Sequence, residues 1–439
     1  MKILSWKKEK RLVEQVETKG LKIGPMSLLR SRFRKNRLAV WSLRILYGLI
    51  FLAVFGDFIA NEKPLYCKID GKTWFPVFRQ YAVDLGLAKW EAQFFQKDWK
   101  EHDFERVIFP LIPYSGHTID PKNNNYRSPF GKQQVTSLRY RHWLGTDKLG
   151  HDLLAGLISG TRVALMVGLI AMSIAAAIGI LLGALAGYFG DRGVRITHLR
   201  LWINLVAAFF AWFYGFQARS FTLSETAKSG GLGWELLVSL AIVAAIFFIA
   251  NGLVFLLKKI SLLTRARVTL PLDLLVMRIV EVMNSIPGFL LLLALAAILQ
   301  KSSVFYVMVI IGLIRWTGIA RFLRAELLKV RQMGYVEASR AMGFSHARIL
   351  FRHALPNALG PVLITLAFGI ASAVLLESTL SFLGIGVGED RMTWGKLLSE
   401  ARRYPGAWWL AVFPGGAIFL TVTIFNLIGE GLSEAMSSR

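Results

Sequence analysis

Eight apolar runs constrain this chain more than any other feature: 38–60, 163–190, 201–216, 236–257, 272–300, 304–320, 359–383 and 409–428. A bilayer's hydrocarbon core is crossed by ~20 helical residues. Within it, every backbone N–H and C=O must be paired inside its own segment, which leaves the α-helix as the form for isolated runs of this kind. The pattern therefore predicts an all-α integral membrane protein with about eight transmembrane helices. The 201–216 run, at about 16 residues, is short for a full crossing. Hydrophobic residues make up 54% of the chain, which excludes an ordinary soluble domain.

Charge fixes the expected orientation. Lys and Arg exceed Asp and Glu by 52 to 28, a net charge of +24. In a soluble protein this excess would suggest nucleic acid. Here it sits beside the apolar runs, so orientation and contact with the lipid bilayer explain it, and no nucleic-acid partner is expected. Residues 1–37 hold twelve Lys or Arg against three Glu, with Arg30, Arg32, Arg34, Lys35 and Arg37 just before the first run. The positive-inside bias places that segment in the cytoplasm. It is too long and too basic for a cleaved signal sequence, so 38–60 is expected to be an uncleaved anchor. An even number of spans puts the short C-terminal tail in the cytoplasm as well.

Residues 61–145 are polar, mixed in charge and rich in Trp, Phe and Tyr, and read as a small external domain. His102-Asp103 and His117 with Asp120 are weak metal-ligand candidates. Nothing supplies the rest of a coordination sphere, so surface histidines are expected and no metal. The single cysteine, Cys67, excludes an internal disulfide. From 142 to 162 an external turn leads into an amphipathic helix that enters the 163–190 span. Ala171, Ala175, Gly179, Gly183 and Gly187 put a small residue at every fourth position there, a face for close helix packing in lipid. Arg192, Arg195 and Arg200 return the chain inward. The charges at Lys258, Lys259, Arg265 and Arg267 then favour an in–out–in hairpin over 201–260.

In 272–300, Arg278 and Glu281 lie three apart on one helix face and can pair, and Pro287 should kink the helix. A tight turn at 301–303 leads into the 304–320 run. Glu377 sits within the 359–383 run. An ionisable group at membrane depth is a functional candidate, and the bland alternative is a carboxylate hydrated near the outer face. The loop 384–408 carries Gly384, Gly386, Gly388 and Trp394, with Glu389, Asp390 and Glu400 offsetting its basic residues.

Between the last runs lies a polar island, 326–357, ELLKVRQMGYVEASRAMGFSHARILFRHALPN. From Arg315 to His353 there are seven Arg and one Lys against two Glu, which marks the stretch as cytoplasmic. It reads as two short helices with a sharp corner. The first runs to about Met342, Gly343 takes a left-handed C-cap position, and Ser345 caps the second. Pro356 should end that second helix near Leu355. A plain linker needs no second capped helix, nor an apolar stripe of Ile349, Leu350 and Ala354.

Glu337-Ala338-Ser339, Gly343 and Leu355-Pro356 resemble the EAA loop of ABC-importer permeases, with Ser339 in place of the usual Ala and His353 where Ile is common. Gly145-Thr146-Asp147, Gly150 and Asp152 resemble the L-G-T-D-x-x-G-x-D signature of dipeptide and oligopeptide permeases, with His151 in place of Arg. The stretch LESTLSFLGIGVGEDRMTWG from 376 also resembles their C-terminal end. The likeness covers roughly 28–60, 142–196 and 270–437, and narrows to the dipeptide/oligopeptide/nickel branch and its C-type permease. It implies a type I importer bundle of six family helices, with 201–260 as an inserted hairpin, in a bacterial inner membrane. It further implies a homologous second permease, two cytoplasmic ATPases that bind ATP-Mg and dock on 326–357, and an extracytoplasmic solute-binding protein. The expected division is 1–37 basic segment, 38–60 first span, 61–160 external domain and entering helix, 161–200 second span and turn, 201–260 hairpin, 270–325 permease core, 326–357 coupling loop, and 358–439 last two spans and tail.

Chemistry of its own is not expected of the chain. It has no G-x-x-x-x-G-K-[ST], H-E-x-x-H or G-x-S-x-G, so no catalytic residues and no cofactor are assigned. The leading expectation is a transport subunit for peptides or similar solutes. The alternatives are the same permease carrying nickel or another non-peptide solute, a stand-alone secondary transporter or channel, or an enzyme whose external domain does the work. The secondary-transporter reading predicts paired repeats and intramembrane ion sites, for which only Glu377 speaks.

Overall fold

The computed structural model describes residues 25–437 apart from 92–93, 95–98, 192, 230–231, 258–266, 299–302, 386–387 and 389–390. The basic stretch before residue 25, and the expectations at Arg192, Lys258, Lys259, Arg265, 301–302, Gly386, Glu389 and Asp390, lie outside the described residues. Seven described helices are long and apolar enough to cross a membrane. A further pair, Leu272–Ser285 and Gly288–Leu295, passes that test together and is bent by 79°. Pro287 sits at this break. It lacks the N–H that would continue the helical ladder, so the expected kink is a full interruption.

The chain forms two compact units, residues 1–183 with 280–439, and residues 184–279. In the larger one, α1 (Pro25–Phe33) turns at Asn36, whose side chain accepts a hydrogen bond from Ala39 N–H at 2.9 Å and caps α2 (Arg37–Ile59). The segment after α2 holds a three-stranded antiparallel sheet in the order β2–β1–β3 (Lys72–Trp74, Tyr66–Ile69, Arg106–Ile108), with Cys67 opposite both Trp74 and Val107. Its core is Cys67, Phe94 and Trp99, and burial pushes the Cys67 thiol up to about 11. His102 packs against Phe94, Trp99 and Phe104, so it is a core ring and not the expected surface histidine. The helix α3 (Pro76–Asp84) completes this part.

The helix α4 (Leu153–Ala184) is continuous, so no separate helix precedes the second span. Three later helices pack with it: α10 (Val304–Val330), α14 (Gly360–Phe382) and α16 (Trp408–Ser437). The main core joins Val163, Val167 and Ala171 of α4 to Leu292, to Val307 and Ile311 of α10, and to Ala373 and Leu380 of α14. Gly179 and Gly183 set how close α4 comes to α10. A Cβ on Gly179 would stand 2.7 Å from Ile319 Cβ, and one on Gly183 would stand 2.7 Å from the Ala320 carbonyl oxygen. Gly183 faces backbone, which has nowhere to move, so only a hydrogen fits there.

In the smaller unit, α4 ends in a π-helical turn, Leu185–Phe189, in which Gly187 is buried. There follow α5 (His198–Trp212), a second π turn (Phe213–Gln217), α6 (Ser220–Ser229) and α7 (Leu232–Leu257). The short 201–216 run belongs to a 29-residue helical span, His198–Thr226, because polar residues on both sides continue the winding. Gly215 allows α5 to approach Val243 of α7, Asn251 donates to Asn204, and Arg219 pairs with Glu235. Two strands, β4 (Val194–Thr197) and β5 (Arg267–Leu270), pair antiparallel and close the base of the hairpin.

Candidate functional site

Three places in the larger unit bring polar groups together: a corner at one end of the bundle, a cavity inside it, and a hydrogen-bonded loop at the other end.

The corner begins where α10 stops. The apolar run was expected to end at Ala320, but the helix runs on to Val330. Leu323, Leu327 and Val330 keep one face of α10 buried while Arg321 and Glu326 occupy others, so the winding survives the rise in charge. After a tight turn comes α11 (Gly334–Ala341). Gly343 has φ 77°, the Gly343 N–H bonds the Arg340 carbonyl at 2.9 Å, and the Phe344 N–H bonds the Ser339 carbonyl at 3.2 Å. This pair of bonds ends the helix and turns the chain, and it needs a residue that tolerates the left-handed region. Ser345 then accepts from Arg348 N–H at 3.4 Å and caps α12 (His346–Ile349).

The second helix does not stop at Leu355. It widens into a π turn, Leu350–Ala354, and continues as α13 (Leu355–Ala358) with Pro356 in the first turn. The wide turn restarts the winding just before the proline, where its missing N–H is not needed. Val336, Ile349, Leu350, Ala354 and Ala358 are buried and form the corner's interior. Glu337, Ala338, Gly343 and Pro356 are exposed, Leu355 is half-buried, and Ser339 is buried with its hydroxyl on the Tyr335 carbonyl at 2.7 Å. His353 stacks on Phe344, with Arg348 over the other ring contact. Tyr335, Met342 and Phe351 stand out from this surface, Phe351 with 68% of its side chain exposed.

The cavity has a volume of about 740 Å³. One wall is the interrupted helix pair α8 (Leu272–Ser285) and α9 (Gly288–Ile298), through Asn284, Pro287 and Phe289. The facing walls are Ile311, Arg315, Gly318 and Arg321 of α10 and Thr365, Phe368 and Ser372 of α14. Thr317 donates to Asn284 at 3.1 Å and Arg315 donates to the Ser372 hydroxyl at 2.5 Å. Arg315 belongs to this cavity and not to the charge of the polar island, where the sequence pattern grouped it. Arg278 and Glu281 are exposed on α8.

Glu377 lies elsewhere. It is only 1% exposed, which removes the reading of a hydrated carboxylate. Ser381 donates to it at 2.6 Å and Ser378 at 3.3 Å, beneath the start of α15 (Trp394–Arg403). A Cβ on Gly395 would stand 2.3 Å from the Ser378 carbonyl, so α15 is seated directly on this part of α14.

The loop at the other end is built on Asp147. One carboxylate oxygen accepts from the N–H groups of Leu149, Gly150 and His151, each at 2.9 Å, and the other meets His151 Nδ1 at 2.6 Å. Asp152 accepts from Ala155 N–H at 2.7 Å, starting α4, and meets His142 Nδ1 at 2.8 Å. His142 is fully buried, and its Nε2 meets Asp120 at 3.1 Å. Burial alone would raise the Asp120 carboxyl, but hydrogen bonds from Asn123, His142 and Lys122 N–H hold it below the usual range. Sequence reading singled out Asp120 beside His117, whereas its partner is His142, a residue 22 positions on. Only the folded loop brings them together. Nearby, Arg162 of α4 pairs with Asp57 of α2 at 2.8 Å. Tyr81 donates to the same carboxylate at 2.5 Å, and its hydroxyl is pushed up to about 12, chiefly by burial.

Two family models match the chain. One is described as the binding-protein-dependent transport system inner membrane component and covers residues 260–438. The other is the N-terminal TM domain of oligopeptide transport permease C, over residues 24–71. The inner membrane ABC transporter permease protein YejE of Escherichia coli (strain K12) is 26% identical, with 94% of this chain and 97% of that protein covered. The peptidoglycan transport system permease protein YejE of Agrobacterium fabrum is 25% identical over 93% of this chain and 91% of that one. The probable D,D-dipeptide transport system permease protein DdpC of E. coli (strain K12) is 28% identical over 68% and 74%. The chain belongs to the binding-protein-dependent permeases of ABC importers, in their dipeptide/oligopeptide/nickel branch.

Proposed function

We propose that the chain forms part of the translocation path of an ATP-driven importer for di- or oligopeptides, and that its 326–357 corner receives an ATPase subunit. The observation that carries this reading is the continuity of α10. One helix lines the cavity with Ile311, Arg315, Gly318 and Arg321 and then enters the corner at Val330. A push on a compact, apolar-cored corner is passed along a stiff helix to the cavity wall. The broken α8–α9 pair opposite supplies a wall that can repack.

Glu337, Ala338 and Gly343 face outward on the docking surface with Pro356, while Ser339 and Leu355 help hold its shape. The exposed Tyr335, Met342 and Phe351 are apolar anchors for a groove on the ATPase. Hydrolysis of ATP-Mg occurs on two such subunits. A homologous second permease completes the path, and an extracytoplasmic binding protein delivers the solute. The corner and both termini lie in the cytoplasm, and the 61–152 segment faces outward. The peptide class is suggested by the relatives that carry peptide-transport names.

The test is co-purification with the ATPase together with ATP-dependent peptide uptake. Glu337→Lys and Gly343→Pro should each reduce both by about tenfold or more. Unchanged complex formation and unchanged uptake in both variants would rule out the docking assignment.

A further inference from the structure

The guanidinium of Arg315 lies where a charge is expensive. It is eleven residues into α10, about 16 Å along the helix axis from Val304, or about half the ~30 Å thickness of a hydrocarbon core. Charges at that depth face a cavity or a partner, and carry function when they persist.

The arginines of the spanning helices are not treated alike. Arg162 of α4 is held by the Asp57 carboxylate, and Arg219 in the smaller unit is held by Glu235. Arg315 is half-buried and has only the neutral Ser372 hydroxyl, with no carboxylate in ion-pairing reach among the described residues. It opens instead onto the 740 Å³ cavity, a size that suits a small peptide. Arg321 lines the same cavity, whereas no Asp or Glu does. Phe289, Leu292 and Phe368 supply apolar wall beside it. A cavity with two cations, neutral hydroxyls and no anion of its own is complementary to an anionic solute group. The planar fork of an arginine matches a carboxylate bidentately.

We propose that Arg315 is a specificity-determining residue that binds the C-terminal α-carboxylate of the peptide as it passes through the bundle. The Ser372 hydroxyl holds the guanidinium against the α14 wall until the carboxylate arrives. The inference rests on the peptide-import reading above and deepens it by naming the group that is recognised.

The experiment compares ATP-dependent uptake of trialanine and of trialanine amide by proteoliposomes holding the complete transporter. The wild-type complex should prefer the free acid. Arg315→Gln should reduce that preference by about tenfold, through a raised half-saturating concentration for the acid. Arg315→Lys keeps the charge without the fork and should retain part of the preference. It also serves as the test if the glutamine variant does not assemble. A structural role predicts equal loss for acid and amide, so an unchanged acid-to-amide ratio in Arg315→Gln overturns the assignment, as does a ratio in Arg315→Lys that matches wild type in every parameter. A wild-type complex that imports neither peptide overturns the peptide reading itself, and the assignment falls with it.

Discussion

At one end of the bundle, Asp147 answers three backbone N–H groups and a histidine, and His142 is sealed between two carboxylates. At the other end, Glu337 stands exposed on a short helix whose only buried groups are apolar or bonded to their own turn. Both ends carry a motif that the chain shares with a family, yet the two spend their polar residues differently. The 120–152 loop turns its motif inward and fixes where α4 and α16 begin, the latter through the Trp409 Nε1 bond to the Thr146 carbonyl at 3.1 Å. The 331–358 corner turns its motif outward on a greasy interior. An inward motif sets geometry, and an outward one leaves its side chains for another molecule.

Substitutions can break or sharpen this contrast. The largest effect is expected from Asp147→Ala, which strands three N–H groups in a loop that water reaches poorly. Stability should fall by about 3 kcal/mol, read as a lowered thermal midpoint of the purified complex. A midpoint equal to wild type would show that the loop is no frame. Next comes Gly183→Val, where a side chain meets the Ala320 backbone, at a cost of about 1–3 kcal/mol by the same measurement.

At the corner, Gly343→Ala should cost about 1 kcal/mol. Its Cβ would meet nothing within 4 Å, so the whole effect is the left-handed φ. A larger loss would mean that the corner is packed from outside. The smallest effect is that of acid on the loop. The Asp120 carboxyl lies below its usual range in the folded chain, so its contribution is present above the unfolded value and is lost as pH falls through the folded one. Stability should therefore decline below about pH 4, and Asp120→Asn should flatten that decline.

The spans and the corner were legible in the sequence because their causes are local. Bilayer length, capping at Ser345 and the left-handed turn at Gly343 each depend on neighbours within a few residues. What escaped depended on distance. Arg315 reads as one more basic residue near a polar island until α14 places Ser372 beside it, 57 positions on. Glu377 reads as a membrane carboxylate until Ser378, Ser381 and the seat of α15 enclose it. The end of α10 was misplaced by ten residues because charge was taken to end a helix. An amphipathic helix leaving a membrane instead keeps winding with one face still buried. Pro356 was expected to stop a helix, and the chain answered with a wider turn.

That wider turn makes the corner sensitive to arithmetic. Between Ser345 and Pro356 the backbone carries one residue more than regular α winding would use, absorbed in Leu350–Ala354. Removing a single residue there would let the turn close to ordinary pitch. Everything after it would then rotate by about 100° relative to the corner, and the apolar faces of α13 and α14 would swing off the bundle. The distance from docking surface to membrane helix is thus set by counting, and an insertion or deletion of one residue at this place should uncouple them more completely than most changes of side chain.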